Sequence, residues 1–142
     1  MNLHSVALVL AALAAPAPAA AVVVDAGTVQ TAYVYELNPA AKCPALLDRD
    51  GRVCGVSRRF ELRGIDRARA LTLVNDNLKG APKSCAAAAT HAVVFETTKG
   101  VRVVDVSFSC HTIGGRALAA GPERELGTFF RLYGLVNGLG GL

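Results

Sequence analysis

Tryptophan is missing from this 142-residue sequence, aromatic residues make up 6% of it, and it has a single methionine. Residues 1–21 carry no charged side chain, and no C-x-x-C pair occurs anywhere in the chain. The motifs G-x-S-x-G and H-E-x-x-H, the Walker phosphate loop and the dinucleotide-binding glycine motif are also missing. The sequence therefore carries no recognisable signature of a hydrolase, a zinc protease or a nucleotide-binding enzyme, and we predict no cofactor.

The N-terminus has the pattern of an export signal. Residues 6–15 form an unbroken apolar run that fits the hydrophobic region of a signal peptide and is too short to span a bilayer. Two prolines and several small residues follow, with cleavage sites that would leave a mature chain starting at Ala20 or Val22. We therefore predict a signal peptide over residues 1–21 and a periplasmic or secreted protein. The alternative is a buried N-terminal helix, which the two prolines disfavour.

The remaining chain predicts one small domain. Removal of the signal leaves about 120 residues, which suffice for one domain with its own core. We assign this domain to residues 22–136 and a flexible tail to residues 137–142. No second apolar run approaches membrane-spanning length, so we predict no membrane span after signal removal. The net charge of +4 is mild and gives no strong indication of a nucleic-acid partner.

Periodicity predicts two strands and a helix in the first half of the domain. Alternating β-branched and aromatic residues indicate a strand over Val29–Leu37. A second strand, about Val53–Arg63, alternates between an apolar face and a charged outer face. A helix then begins at Asp66 as its N-cap, with Ile65 as a hydrophobic staple, and ends before Gly80.

A hairpin over residues 91–110 follows the helix. Lys99-Gly100 fits a two-residue turn, and a four-residue loop with the same pairing is equally acceptable. The resulting register pairs residues of one largely apolar face: Phe95 with Val104, Val93 with Val106, and His91 with Phe108. A short strand over Arg116–Ala119 and a helix opened by Gly121-Pro122 complete the chain. The fold class is α+β, an antiparallel sheet with two helices packed on one face, in the order β-β-α-β-β-β-α.

Four cysteines allow three disulfide connectivities. Cys43 and Cys54 flank one Asp-Gly loop, and the hairpin register brings Cys110 close to the segment that begins at Cys85. We therefore predict the disulfides Cys43–Cys54 and Cys85–Cys110, which export would favour. The domain is then held by two covalent cross-links in addition to its core.

Two histidines lie within the predicted domain. His91 falls on the core face, where we expect it to be buried, and His111 follows a bridged cysteine and should be partly exposed. As base and acid they could serve a small hydrolase or nuclease, although the inward direction of His91 predicts poor substrate access. Together with Cys85 and Cys110 they form the alternative of a metal site, which oxidation of the cysteines disfavours.

Arginines crowd residues 49–69, against fewer acidic side chains. On the second strand, Arg59 and Arg63 share the outer face with Ser57 and Glu61. Such a face can hold phosphate, a carboxylate-bearing polymer or an acidic protein, or it is simply a solvated surface. Aromatic residues do not alternate with these arginines as single-stranded nucleic-acid binding would need.

One resemblance rests on the cysteine-flanked hairpin. Cys85, then His91-Ala-Val-Val-Phe95, then Val104-Asp-Val-Ser-Phe-Ser-Cys110 is similar to a core pattern of small uncharacterised bacterial exported proteins. In that pattern a helix precedes a cysteine and a hairpin ending in Phe-x-Cys, and a closing helix follows. The resemblance covers about residues 65–135 and implies no activity and no catalytic residue.

The leading hypothesis for function is a non-enzymatic exported protein. It would bind an envelope or extracellular protein, or an anionic ligand, through Arg59 and Arg63. The alternatives are a small hydrolase or nuclease that uses His91 and His111, and an inhibitor of another enzyme.

Overall fold

The computed structural model describes residues 23–43, 45–47, 50–137 and 139. The predicted signal peptide lies outside these residues. Of the predicted C-terminal tail, Asn137 and Leu139 are described. Asn137 donates two hydrogen bonds to Glu36, and Leu139 is packed into the core.

An antiparallel sheet of six strands forms the framework, in the spatial order β2-β1-β3-β4-β5-β6. The strands are β1 (Val29–Leu37), β2 (Val56–Leu62), β3 (His91–Thr97), β4 (Gly100–Ser107), β5 (Thr112–Ile113) and β6 (Arg116–Ala117). The helices are α1 (Gly64–Asn77) and α2 (Ala120–Leu132). The predicted α+β class and order of elements are confirmed. The additional strand β5 arises because Gly114 and Gly115, both with positive φ, turn the chain back to pair with β6.

Both helices pack on the same face of the sheet. The strands contribute alternate residues to this core, and the helices contribute residues at helical spacing. Among the core residues are Val34, Phe95 and Val104 of the strands and Val74, Phe129 and Phe130 of the helices. Full burial of one such side chain contributes about 1.5–3 kcal/mol to folding, so this layer is the main source of stability. The opposite face of the sheet, which we call the open face, carries a smaller apolar cluster built around Tyr35, Leu37 and Val94.

The first strand has its predicted bounds, and the second is shorter than predicted. Val53 pairs with Leu47 inside the loop that precedes β2, and Arg63 is the N-cap of α1 rather than part of the strand. The predicted division of β2 into two faces is correct from Arg58 onward and wrong for Val56, which pairs with Leu37 and lines the open face because a bulge shifts the register between Glu36 and Leu37. Arg58 and Phe60 pair with the helix-side residues of β1, whereas Arg59 lies opposite Tyr35 on the open face.

The predicted register of the hairpin is wrong by two residues. The observed pairs are Phe95 with Arg102, Val93 with Val104, and His91 with Val106. The turn is therefore Thr98-Lys99, because the hydroxyl of Thr97 donates to the carbonyl of Gly100 and accepts from the amide of Lys99, at 2.8 and 3.2 Å. A shift of two residues leaves every side chain on its predicted face.

The predicted start of α1 is also wrong. The helix begins at Gly64, and Asp66 lies in its first turn instead of at the N-cap. The carboxylate of Asp66 accepts a hydrogen bond from the hydroxyl of Tyr133, so this side chain joins the two helices rather than capping one. Ile65 is 83% exposed and is no staple.

Candidate functional site

Both predicted disulfides are present. Cys43–Cys54 closes the loop between β1 and β2, with the two Cα atoms 5.9 Å apart. Cys85–Cys110 joins the segment after α1 to the end of the hairpin, with the Cα atoms 5.7 Å apart. These bonds are consistent with an exported protein. They also occupy the two sulfurs of the alternative metal site, and no group of three metal-ligating side chains is found in the described part of the chain.

His91 is buried, as predicted, and its ring packs against Phe108 and Phe130. Its Nδ1 lies 2.9 Å from the hydroxyl of Thr90, and its Nε2 lies 2.9 Å from the carbonyl oxygen of Leu135. Burial lowers the pKa of His91, against smaller opposing effects of that carbonyl and of Glu36. His91 is therefore a neutral core residue that a substrate cannot reach.

His111 occupies a different environment. Its side chain is 58% exposed, and its Nδ1 lies 2.8 and 2.9 Å from the two carboxylate oxygens of the buried Glu123. Its backbone has a φ of 55°, which a non-glycine residue rarely adopts. Because His91 is enclosed, the geometry gives no support to a hydrolase in which these two histidines share a substrate.

The predicted binding residue Arg59 lies on the open face. A pocket of about 390 Å³ is formed there between the sheet and the loop that Cys43–Cys54 closes. The loop contributes Arg52 and Val53, while the strands contribute Tyr35, Arg59, Val94 and Glu96. Strand alternation places these sheet residues on one face, and the disulfide holds the loop beside them.

Two tyrosines of β1 position the guanidinium of Arg59. Its central carbon lies 5.7 Å from the ring centroid of Tyr33, within the range of a cation–π contact. A hydrogen bond to the side chain of Tyr35 is the largest cause of a raised pKa of Arg59. Arg59 is therefore a permanent cation whose guanidinium lies beside two tyrosines of the neighbouring strand β1.

The remaining pocket residues define its electrostatic and apolar character. Arg52 and Arg59 are the cationic side chains of the lining, and its carboxylate is that of Glu96, which accepts a hydrogen bond from the hydroxyl of Thr31. Valines and the ring of Tyr35 form the apolar part of the wall. The arrangement suits a ligand that carries an anionic group on an apolar body.

The two predicted binding arginines are placed apart. Arg63 precedes α1, is 82% exposed and pairs with Glu61 at 3.0 Å, and it does not line the pocket. Arg58 points to the helix side, where it binds Glu36. Arg52 was not predicted to line a binding pocket, and its position two residues before a bridged cysteine is the signal that could have indicated it.

Comparison of the chain with protein-family models, with curated proteins and with solved structures finds no match. Within the described ranges, no helix is both long enough and apolar enough to cross a membrane.

Proposed function

We propose that this protein is exported to the periplasm or the medium and binds an anionic partner or ligand, without catalysis, on the open face of its sheet. The observation that carries the proposal is the guanidinium of Arg59, which lines the pocket and lies beside the side chains of Tyr33 and Tyr35. A cation that already lies beside two aromatic side chains loses less conformational entropy on binding than an unsupported arginine, which favours recognition of an anionic group.

Export is supported by the signal-like sequence over residues 1–21, by the two disulfides, and by the resemblance of the Cys85–Cys110 region to bacterial exported proteins. Mass spectrometry of the native protein tests it. We expect an N-terminus at Ala20 or Val22 and four cysteines that resist alkylation until a reductant is added. An intact Met1 with alkylatable thiols would contradict export.

Binding rather than catalysis is favoured by the composition of the pocket. Its polar side chains are two arginines, one tyrosine and one carboxylate, a set that can hold an anion but lacks a nucleophile paired with a base. The two histidines that could perform acid–base chemistry lie elsewhere, one of them enclosed in the core.

Phenyl phosphate is a suitable probe because it combines a dianion with an apolar ring. In a titration followed by amide NMR shifts, we expect saturable changes at Arg59, Val94 and neighbouring pocket residues. Arg59→Gln and Arg52→Gln should each weaken binding about tenfold, the effect of losing one charge-assisted hydrogen bond. Arg124→Gln, an exposed arginine of α2, is the matched control and should leave binding unchanged.

Arg63→Gln separates the pocket from the rest of the predicted arginine face. If the pocket is the site, this variant binds phenyl phosphate like the unmodified protein, since Arg63 does not line the pocket. Shifts that scatter over the surface, or a loss of affinity that is equal for Arg124→Gln and Arg59→Gln, would show that the pocket is not the binding site.

A further inference from the structure

Strand β2 lies at one edge of the sheet and pairs on one side only, with β1. The other edge strand, β6, has two residues and is covered by the segment 81–83. Pro82 forms a bridge with Arg116, and the amide of Ala117 donates to the carbonyl of Ala81 at 2.7 Å. Among the described residues, β2 is thus the long strand whose outer backbone groups have no strand beside them, and such an edge is a template for pairing with another chain.

The side chains of β2 are unusually exposed for a strand of a sheet. Six of its seven residues are exposed, including Val56 and the ring of Phe60, which is 42% accessible. Phe60 is the fifth residue of the strand and lies on the helix side, with its ring centroid 6.1 Å from that of Tyr133. A large, partly exposed apolar side chain on an open edge would gain burial from a second strand.

The charges of β2 determine in which register two copies of the strand can pair. In an antiparallel pair of strands, directly opposite residues lie on the same face of the sheet. A two-fold axis perpendicular to the sheet therefore lies between one residue and the same residue of the other copy, and that residue defines the register. Centring on Arg58 or Arg59 sets two arginines opposite each other, and centring on Glu61 sets two glutamates opposite each other. These registers bring like charges together and are disfavoured.

Centring on Phe60 has the opposite effect. Arg59 of each copy then faces Glu61 of the other copy, and this complementary pair occurs twice. The two Phe60 rings face each other on the helix side, and Arg58 of each copy faces Leu62 of the other. Over residues 58–62 the strand is therefore complementary to itself in its open-face charges and in the Phe60 contact when it is centred on Phe60.

We infer that β2 pairs antiparallel with β2 of a second copy of this chain, in the register centred on Phe60, to form one continuous sheet. The two-fold axis leaves both open faces on the same side, so the two Arg59 pockets of the dimer point the same way. Strand pairing uses the backbone edge of β2, whereas the pocket lies toward β1 and the loop. Arg59 belongs to both, so Glu61→Arg, at a residue that does not line the pocket, distinguishes the dimer from the proposed function.

Sedimentation velocity of the exported, oxidised protein and of two charge variants tests the dimer. We expect the unmodified protein to dimerise with increasing concentration. Arg59→Glu and Glu61→Arg should each raise the dimer dissociation constant about tenfold or more, since either change makes both symmetric pairs repulsive. Mixing the two variants should restore association, because each acidic strand then faces a basic one.

Arg124→Glu on α2 serves as the charge-matched control and should dimerise normally. Circular dichroism and intact disulfides establish that both β2 variants are folded. A protein that stays monomeric at every concentration reached overturns the inference. So does a dimer that both variants retain, or a mixture of folded variants that fails to associate.

Discussion

Glu36 and Arg58 form a two-point ion pair across β1 and β2. Arg58 Nε lies 3.2 Å from Glu36 Oε1, and Arg58 Nη2 lies 3.0 Å from Glu36 Oε2. Glu36 is 1% exposed, and its carboxylate also accepts hydrogen bonds from the backbone amide and the side chain of Asn137. Arg58 donates in addition to the carbonyl of Gly134 at 2.6 Å. The pair thus fastens the segment after α2 to the edge of the sheet.

Glu36→Gln should destabilise the protein. The amide keeps the shape of the side chain but loses the charge that strengthens the hydrogen bonds from Arg58 and Asn137. We expect the free energy of unfolding to fall by about 1–3 kcal/mol, measured by urea denaturation. Glu125→Gln, which changes an exposed carboxylate on α2, should fall within about 0.5 kcal/mol of the unmodified protein. Equal stability of the two variants would contradict the role of the pair.

Because of the carboxylate of Glu36, we expect the free energy of unfolding to decrease at acidic pH. Burial raises the pKa of Glu36, but the hydrogen bonds from Arg58 and Asn137 outweigh it, so the pKa lies below its usual value of 4.5. The unfolded chain therefore binds the proton more readily. The contribution of Glu36 is complete above about pH 4.5 and is lost as the pH falls through the lower folded pKa. Urea midpoints measured on acidification should decline less steeply in Glu36→Gln.

We expect His91 to cause a second, separate change of stability with pH. Its folded pKa is lowered by burial, whereas an unfolded histidine titrates at about 6.5. Protonation thus favours the unfolded state, and stability should fall as the pH decreases from about 7.5 through 6.5 toward the folded pKa. In His91→Gln this decline should disappear even if overall stability is lower. A decline of the same size in both proteins would assign it to another group.

His111 combines a hydrogen bond to buried Glu123 with a left-handed backbone. His111→Ala removes the bond and keeps the strain, and we expect a loss of about 1–3 kcal/mol from the weakened solvation of the carboxylate. His111→Gly also removes the bond but accepts a φ of 55° without strain, so it should be more stable than the alanine variant by about 1 kcal/mol. Thermal unfolding of the two variants distinguishes the bond from the strain.

Period-two patterns explain which parts of this fold could be predicted from the sequence. Alternation fixed the bounds of β1 and the opposite directions of Arg58 and Arg59, because successive side chains of a strand point to opposite faces. The register error in the hairpin could not be detected from this period. A shift of two residues changes every cross-strand partner but leaves each side chain on the same face of the sheet. The position of the turn depends on the hydroxyl of Thr97, a local contact that apolar patterning does not encode.

Long-range side-chain contacts explain what the sequence did not reveal. Asp66 has the spacing of an N-cap, yet it binds Tyr133, which is 67 residues away. Glu36 stands among apolar neighbours, and its partner Asn137 is 101 residues away. Arg52 reaches the pocket only because the Cys43–Cys54 disulfide holds its loop beside the sheet. Such contacts require the tertiary structure, so of the two arginines that line the pocket only Arg59 could be assigned from the sequence.

A crystal structure of the oxidised protein with phenyl phosphate tests the account most directly. We predict density for the phosphate within hydrogen-bonding distance of the guanidinium of Arg59, with the phenyl ring against Val94 and Tyr35. Density at another surface, or a pocket closed by another part of the chain, would contradict the assignment of the open face as the binding site.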